Sequence, residues 1–148
     1  MTEHTPTLAE IGSALRVRMA EIIGDAAVII PPNEDGDPDA GEILVLHTVN
    51  PGAVSPAELG GRRGISVMNG VYSINLSYPK GSLERANEAW ALAQKLMSAF
   101  RLEYLPAGPC TVNVDEPYAT NVGATPDGRM SMLVTVPWWT WTGGDEGE

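Results

Sequence analysis

Residues 70–100 read GVYSINLSYP, then KG, then SLERANEAWALAQKLMSAF. In the first part Gly70, Tyr72, Ile74 and Leu76 share one phase of a two-residue alternation, the signature of a strand with one buried face. The strand ends at Tyr78-Pro79, and Lys80-Gly81 supplies a turn. Ser82 is then a good helix N-cap, with Glu84 in the first turn where the helix dipole favours an acid. Leu83, Ala86, Trp90, Ala93, Met97 and Phe100 recur at spacings of three and four, and Ala89, Leu92 and Leu96 widen the stripe. So wide a stripe predicts a helix laid across a sheet. Burying Trp90 and Phe100 there would contribute about 2–3 kcal/mol each.

Upstream, Gly64 to Tyr78 alternates with one phase slip, since Ile65 and Val67 fall out of step with Met68 and the residues after it. A bulge or a tight Asn-Gly turn near Met68-Asn69-Gly70 would absorb the extra residue. One long bulged strand, or two strands with a close bend, is the favoured reading over a hairpin. Further back, Leu8, Ile11, Leu15, Met19 and Ile22 mark a helix over residues 7–23, with Thr7 and Glu10 as a capping box and Gly24 as its stop. Ala26 to Ile30 reads as a short strand cut off by Pro31-Pro32. Asn33 to Gly41 reads as an acidic loop and Glu42 to Val49 as a mostly buried strand. Asn50 to Gly61, with its prolines and glycines, reads as a long loop.

Downstream, Cys110, Val112 and Val114 alternate with polar residues and predict a strand. Thr125-Pro126-Asp127-Gly128 is a turn by composition. The last strand, Arg129 to Trp141, places Met130, Met132, Val134, Val136 and Trp138 on one face and Ser131, Leu133, Thr135 and Trp139 on the other. The order of elements predicts an α+β fold: a mostly antiparallel (mixed) sheet with two main helices packed on one face. The length suits a single domain over residues 1–148, with residues 1–6 and the acidic 143–148 as flexible ends.

The chain has 148 residues and a formal net charge of −10. Residues 1–74 carry four basic and ten acidic side chains, and residues 75–148 carry five and nine. Neither half is a basic module, which argues against tight binding to nucleic-acid phosphate or to anionic membranes. Cys110 is the single cysteine. It permits no internal disulfide and no thiolate zinc site within one chain, and the expectation is a reduced, buried thiol. No run of about 18 apolar residues exists to span a membrane. Met1 to Glu10 lacks a basic n-region and an apolar h-region, so no secretory signal is expected and synthesis in the cytoplasm is.

Catalytic chemistry has little to draw on, and no catalytic, cofactor or metal residue is expected. His4 lies in the polar N-terminal stretch, and His47 lies inside an apolar strand. No GxSxG, HExxH or CxxC motif occurs. A Cys110–His47 nucleophile–base pair is conceivable but has no local signature. Asp35, Asp37 and Asp39 suggest a calcium loop only loosely. Counted from Asp35, EF-hand positions six and twelve are Ala40 and Leu46 instead of glycine and glutamate. Gly60-Gly61-Arg62-Arg63-Gly64 is no phosphate loop, lacking Gly-Lys-Ser/Thr. It reads either as a mobile loop or as an arm that docks on an acidic partner. Pro137-Trp138-Trp139-Thr140-Trp141 holds three of the four tryptophans. Because Trp138 and Trp139 point to opposite faces, one belongs in the core, and Trp139 and Trp141 are candidates for an interface.

Residues 70–81, with the helix from Ser82 to Phe100, resemble a segment typical of tail-terminator (tail-completion) proteins of long-tailed bacteriophages. In those proteins a GxYxVxVYxPxG-like strand and turn leads into a helix ending in phenylalanine. The first helix, the Pro31-Pro32-Asn33 stretch and the Met132-to-Trp138 strand are similar in order and spacing. The likeness runs from about residue 7 to 141 and is weakest over Asn50–Met68. It implies a structural virion protein without catalysis, made in the host cytoplasm and placed at the head-proximal end of the tail. There it would assemble as a ring, usually a hexamer, cap the tail tube, stop its polymerisation and form the head–tail joining surface. The implied partners are further copies of itself, the tail-tube protein and a head–tail connector or neck protein, with DNA only passing through the lumen. On that reading Arg62, Arg63, Trp139 and Trp141 are interface residues. Glu34, Asp35, Asp37 and Asp39 form a lumen or rim loop that repels DNA phosphate. Rival readings are a head-completion or neck protein, a small ligand-binding or hydrolytic α+β domain, and an acidic regulatory module for a basic protein.

Overall fold

The structure is a computed structural model that describes residues 6–32, 34–56, 66–108 and 110–142. The N-terminal residues 1–5, the Arg62–Arg63 segment and the acidic tail 143–148 lie outside the described residues. Helix α1 (Leu8–Ile23) starts on the expected capping box: Glu10 N–H donates to Thr7 Oγ1 at 3.1 Å and Thr7 N–H to Glu10 Oε1 at 2.9 Å. It stops at Gly24, whose φ of +53° is a backbone state that glycine reaches without a Cβ penalty. Ile11, Leu15, Met19, Ile22 and Ile23 are buried, whereas Leu8, expected on the same face, is 51% exposed.

Among the described residues seven strands form one sheet: β1 (Val28–Ile29), β2 (Leu44–Pro56), β3 (Ser66–Pro79), β4 (Tyr104–Ala107), β5 (Cys110–Val114), β6 (Tyr118–Ala124) and β7 (Arg129–Thr142). The order across the sheet is β1-β2-β3-β7-β5-β4, and β6 pairs with β7 off this path. β1 and β2 are parallel, and the other pairings are antiparallel. The mixed, mostly antiparallel α+β architecture is therefore as expected. Helix α2 (Leu83–Phe100) follows β3, and its N-cap Ser82 accepts from Arg85 N–H at 3.2 Å.

Both helices pack into one core cluster with Tyr72, Ile74 and Leu76 of β3 and Val134, Val136 and Trp138 of β7. Phe100 is fully buried, as the helical stripe requires. Trp90 is not: it is 51% exposed, and Leu83 is 76% exposed. The face that meets the sheet is centred on Ala89, Leu92, Ala93 and Leu96, which turns Leu83 and Trp90 away from the core.

Three further expectations change. The segment from Asn50 is strand as far as Pro56, not loop. β3 pairs with β7 in one unbroken register from Ser66↔Thr142 to Pro79↔Arg129, so β3 has no bulge against that partner. The irregularity lies instead in β2, between Pro51 and Val54, opposite Gly70 and Met68. β4 and β6 are strands beyond those that the sequence pattern predicts.

Candidate functional site

The far end of the β3–β7 ladder carries the aromatic residues. β7 alternation sends Trp138 into the core, where it is 1% exposed, and Trp139 and Trp141 to the opposite face. There Trp139 lies across from Asn69 and Trp141 across from Val67. The two rings stack edge to face, with centroids 5.3 Å apart at 90°, a favoured aromatic geometry. Trp141 remains 50% exposed. Gly70, directly opposite Trp138, makes the inward side possible. A Cβ at this position would sit 2.6 Å from Trp138 Cζ2 and against the Asn50 carbonyl. The indole Nε1 of Trp138 is buried and finds no acceptor among the described residues.

The acidic loop lies at the other end of β7, next to its first residue. Asp37 orders the loop locally: its Oδ1 accepts from Asp39 N–H at 2.9 Å and its carbonyl from Ala40 N–H at 3.1 Å. Glu34, Asp35, Asp37 and Asp39 are all exposed. The loop's far end is held by Arg129, a residue the sequence did not single out and which is 2% exposed. Its guanidinium donates to Ala40 O at 2.5 Å, Glu42 O at 2.8 Å, Ser77 O at 2.9 Å and Ser77 Oγ at 2.6 Å. No carboxylate lies within ion-pair distance of it among the described residues.

Glu34 and Asp35 also border a polar pocket of about 520 Å³ whose walls include His47, Thr48, Ser73 and Asn75. His47 is committed within the fold. A carbonyl only accepts, so Nε2–H donates to Ile30 O at 3.1 Å, and Nδ1 accepts from the Tyr72 hydroxyl at 2.9 Å. Burial holds its pKa below the ordinary histidine value, which favours this neutral form. Cys110 lies in β5, separated from the β2 of His47 by β3 and β7. Three strand spacings amount to about 14 Å. The Cys110–His47 pair is thus ruled out as a nucleophile–base dyad. Cys110 is also only partly buried, not the fully buried thiol expected. Among the described residues no group of three or more His, Cys, Asp or Glu is arranged to hold a metal ion, and no helix is long and apolar enough to cross a membrane.

The sheet edges differ in how open they are. Ile43, just before β2, and Val45 within it direct their carbonyls to the β1 side. Strand alternation then points the nitrogen of Pro51 to the same open side, where no N–H is needed. Just before β4, Glu103 O accepts from Val114 N–H, so alternation turns the nitrogen of Pro106 outward as well. Prolines thus blunt both edges. β6 has neither proline nor charge in its sequence YATNVGA, and Tyr118 and Val122 are 54% and 51% exposed.

No protein-family model matches the chain, and no curated protein matches it at a significant level. Solved structures do share the fold. One protein, which carries no functional description, superimposes with a TM-score of 0.66 at 18% identity, over 90% of this chain and 95% of its own. A chain from the virion of a native gene transfer agent particle superimposes with a TM-score of 0.56 at 15% identity, over 91% of this chain and 99% of its own.

Proposed function

We infer that this chain is a structural, non-enzymatic component of a phage-like virion. Within that class its role is that of a tail terminator. It assembles as a ring on the head-proximal end of the tail tube, halts tube polymerisation and offers the joining surface to a connector or neck protein. The observation that carries this reading is the fold shared, nearly end to end, with a chain of a gene transfer agent virion. The residues of the β3–α2 unit add the resemblance to tail terminators.

In this role residues 1–148 act as one domain. The exposed Trp141 and its stacking partner Trp139 supply apolar contact area to a neighbouring subunit or the tube, as tryptophan does at interface centres. Arg62 and Arg63 supply the basic counterpart. Glu34, Asp35, Asp37 and Asp39 line the rim or lumen, where their charge keeps passing DNA from adhering. The decisive experiment mixes purified protein with tail-tube subunits and measures tube lengths by electron microscopy. Capping gives short tubes with protein at one end, whereas unlimited growth refutes termination. Binding to the connector without any effect on tube length would favour a neck protein. Reversing the four acidic charges tests the rim assignment, which fails if DNA passage and infectivity are unchanged.

A further inference from the structure

Helix α1 packs against β4 without closing over it, which leaves a groove of about 430 Å³. Its floor includes Ala14, Val17 and Leu105, and its rim carries Glu10 and Glu21. Val17 is 56% exposed in the middle of a helix in which Ile11, Leu15 and Met19 are almost completely buried. The rim is short of positive charge. Arg18, the cation in the groove, is spent on Glu103 through two bonds of 2.7 and 3.2 Å. Its remaining contact to Glu21 is long, 3.4 Å, and the Glu21 side chain is 61% exposed. The groove is thus an apolar trough with an acidic ledge.

We propose that this groove receives the Gly60–Ile65 segment of a second copy of the chain, with Arg62 and Arg63 against the acidic ledge and Ile65 on the apolar floor. The proposal rests on the self-assembly part of the reading above. Charge complementarity selects the occupant. Of the nine basic residues in the chain, Arg62 and Arg63 are the adjacent pair, whereas Arg18, Arg85 and Arg101 already have carboxylate partners and Arg129 is buried. The flanking glycines carry no side chain to hold the backbone off the trough.

Geometry selects a second copy over the chain's own segment. Ile65 is bonded to Ser66, the first residue of β3, and consecutive Cα atoms are about 3.8 Å apart. β7 and β5 lie between β3 and β4, about 14 Å along the sheet, so a chain cannot lay its own Ile65 on its own groove floor. The contact joins two different surfaces, the kind that propagates around a ring.

The test is disulfide trapping in a Cys110→Ser background. Val17→Cys combined with Gly64→Cys is oxidised under native conditions and run on a non-reducing gel. Covalent dimers and higher multimers are expected, with none from the control pair Gln94→Cys and Gly64→Cys on the exposed side of α2. A band linked only within one chain, no link at all, or equal linking in the control overturns the proposal. In parallel, Arg62→Glu with Arg63→Glu turns attraction into like-charge contact and should weaken self-association at least about tenfold. Adding Glu21→Arg should recover part of it. Unchanged association of the reversed variant, or no recovery, also counts against the groove. Tube capping is read separately: a protein that caps tubes without the cross-link refutes the groove alone, and one that cross-links without capping refutes the terminator role alone.

Discussion

Replacing Arg129 by methionine tests how the acidic loop is held to the sheet. The guanidinium makes four hydrogen bonds of 2.5–2.9 Å, three to carbonyl oxygens and one to the Ser77 hydroxyl, at 2% exposure. A bond from a charged donor contributes about 1.5–3 kcal/mol. Against that stands the cost, several kcal/mol, of confining a charge with no carboxylate partner among the described residues. Methionine fills much of the volume but removes the donor that Arg129 gives to the Ser77, Ala40 and Glu42 carbonyls. Water reaches the last two more easily, because Glu42 is exposed and Ala40 half-buried. The expected net loss is about 3–5 kcal/mol. With a urea m-value near 2 kcal/mol/M, it lowers the unfolding midpoint by about 2 M at unchanged m. Arg129→Lys keeps the charge but presents its donors from one atom, and should fall between, at about 1–2 kcal/mol. A methionine variant as stable as the parent would show that desolvation cancels the four bonds, and the account of Arg129 as the loop's anchor would be wrong.

Gly70→Ala should destabilise by about 1–3 kcal/mol through overpacking, because the new methyl meets Trp138 and the Asn50 carbonyl; thermal unfolding with tryptophan emission as the probe checks it. His47 has a folded pKa below its unfolded value of about 6.5. Its stabilising contribution is therefore complete above that value and is lost as pH falls through the folded pKa. Urea titrations between pH 7.5 and 5.5 should show stability falling by at most about 1.4 kcal/mol per pH unit for this one proton, with a shallower slope in His47→Gln. Trp141→Ser should change the stability of the free chain by less than about 1 kcal/mol, because half the ring is already in water. Its effect should appear instead in assembly mass or tube capping.

The helices and the last strand were legible because each buries one face, so burial writes a period into the sequence. α1 also displays its caps, Thr7, Glu10 and Gly24, as residue types. β6 wrote no such period, since Tyr118 through Val122 are exposed on both faces. β2 past Asn50 was hidden by Pro51, Gly52 and Pro56, which read as loop residues but are tolerated on an open edge. The phase slip at Met68 was real in the pattern yet misplaced in space, because Gly70 belongs to the inward row and leaves its room to Trp138. Of the candidate sites, the outward pair Trp139 and Trp141 followed from alternation alone. The Arg129 cage did not, because its acceptors at residues 40, 42 and 77 meet only through the fold. The α1–β4 groove was equally silent, since it depends on a strand the pattern did not disclose.

The register of β3 against β7 has a consequence for synthesis on the ribosome. β3 is an interior strand of fourteen residues, SVMNGVYSINLSYP, with no charged side chain. One of its flanks is β2, made earlier; the other is β7, which follows fifty residues after Pro79 and begins at Arg129. At about 5–20 residues per second, a nascent chain waits several seconds with that flank unpaired and the row of Tyr72, Ile74 and Leu76 only partly covered. Uncharged apolar strands with open edges are the species that recruit one another. The vulnerable interval in the life of this protein therefore comes before release, and factors that slow translation between residues 79 and 142 should lower the yield of soluble chain even where the finished fold is stable.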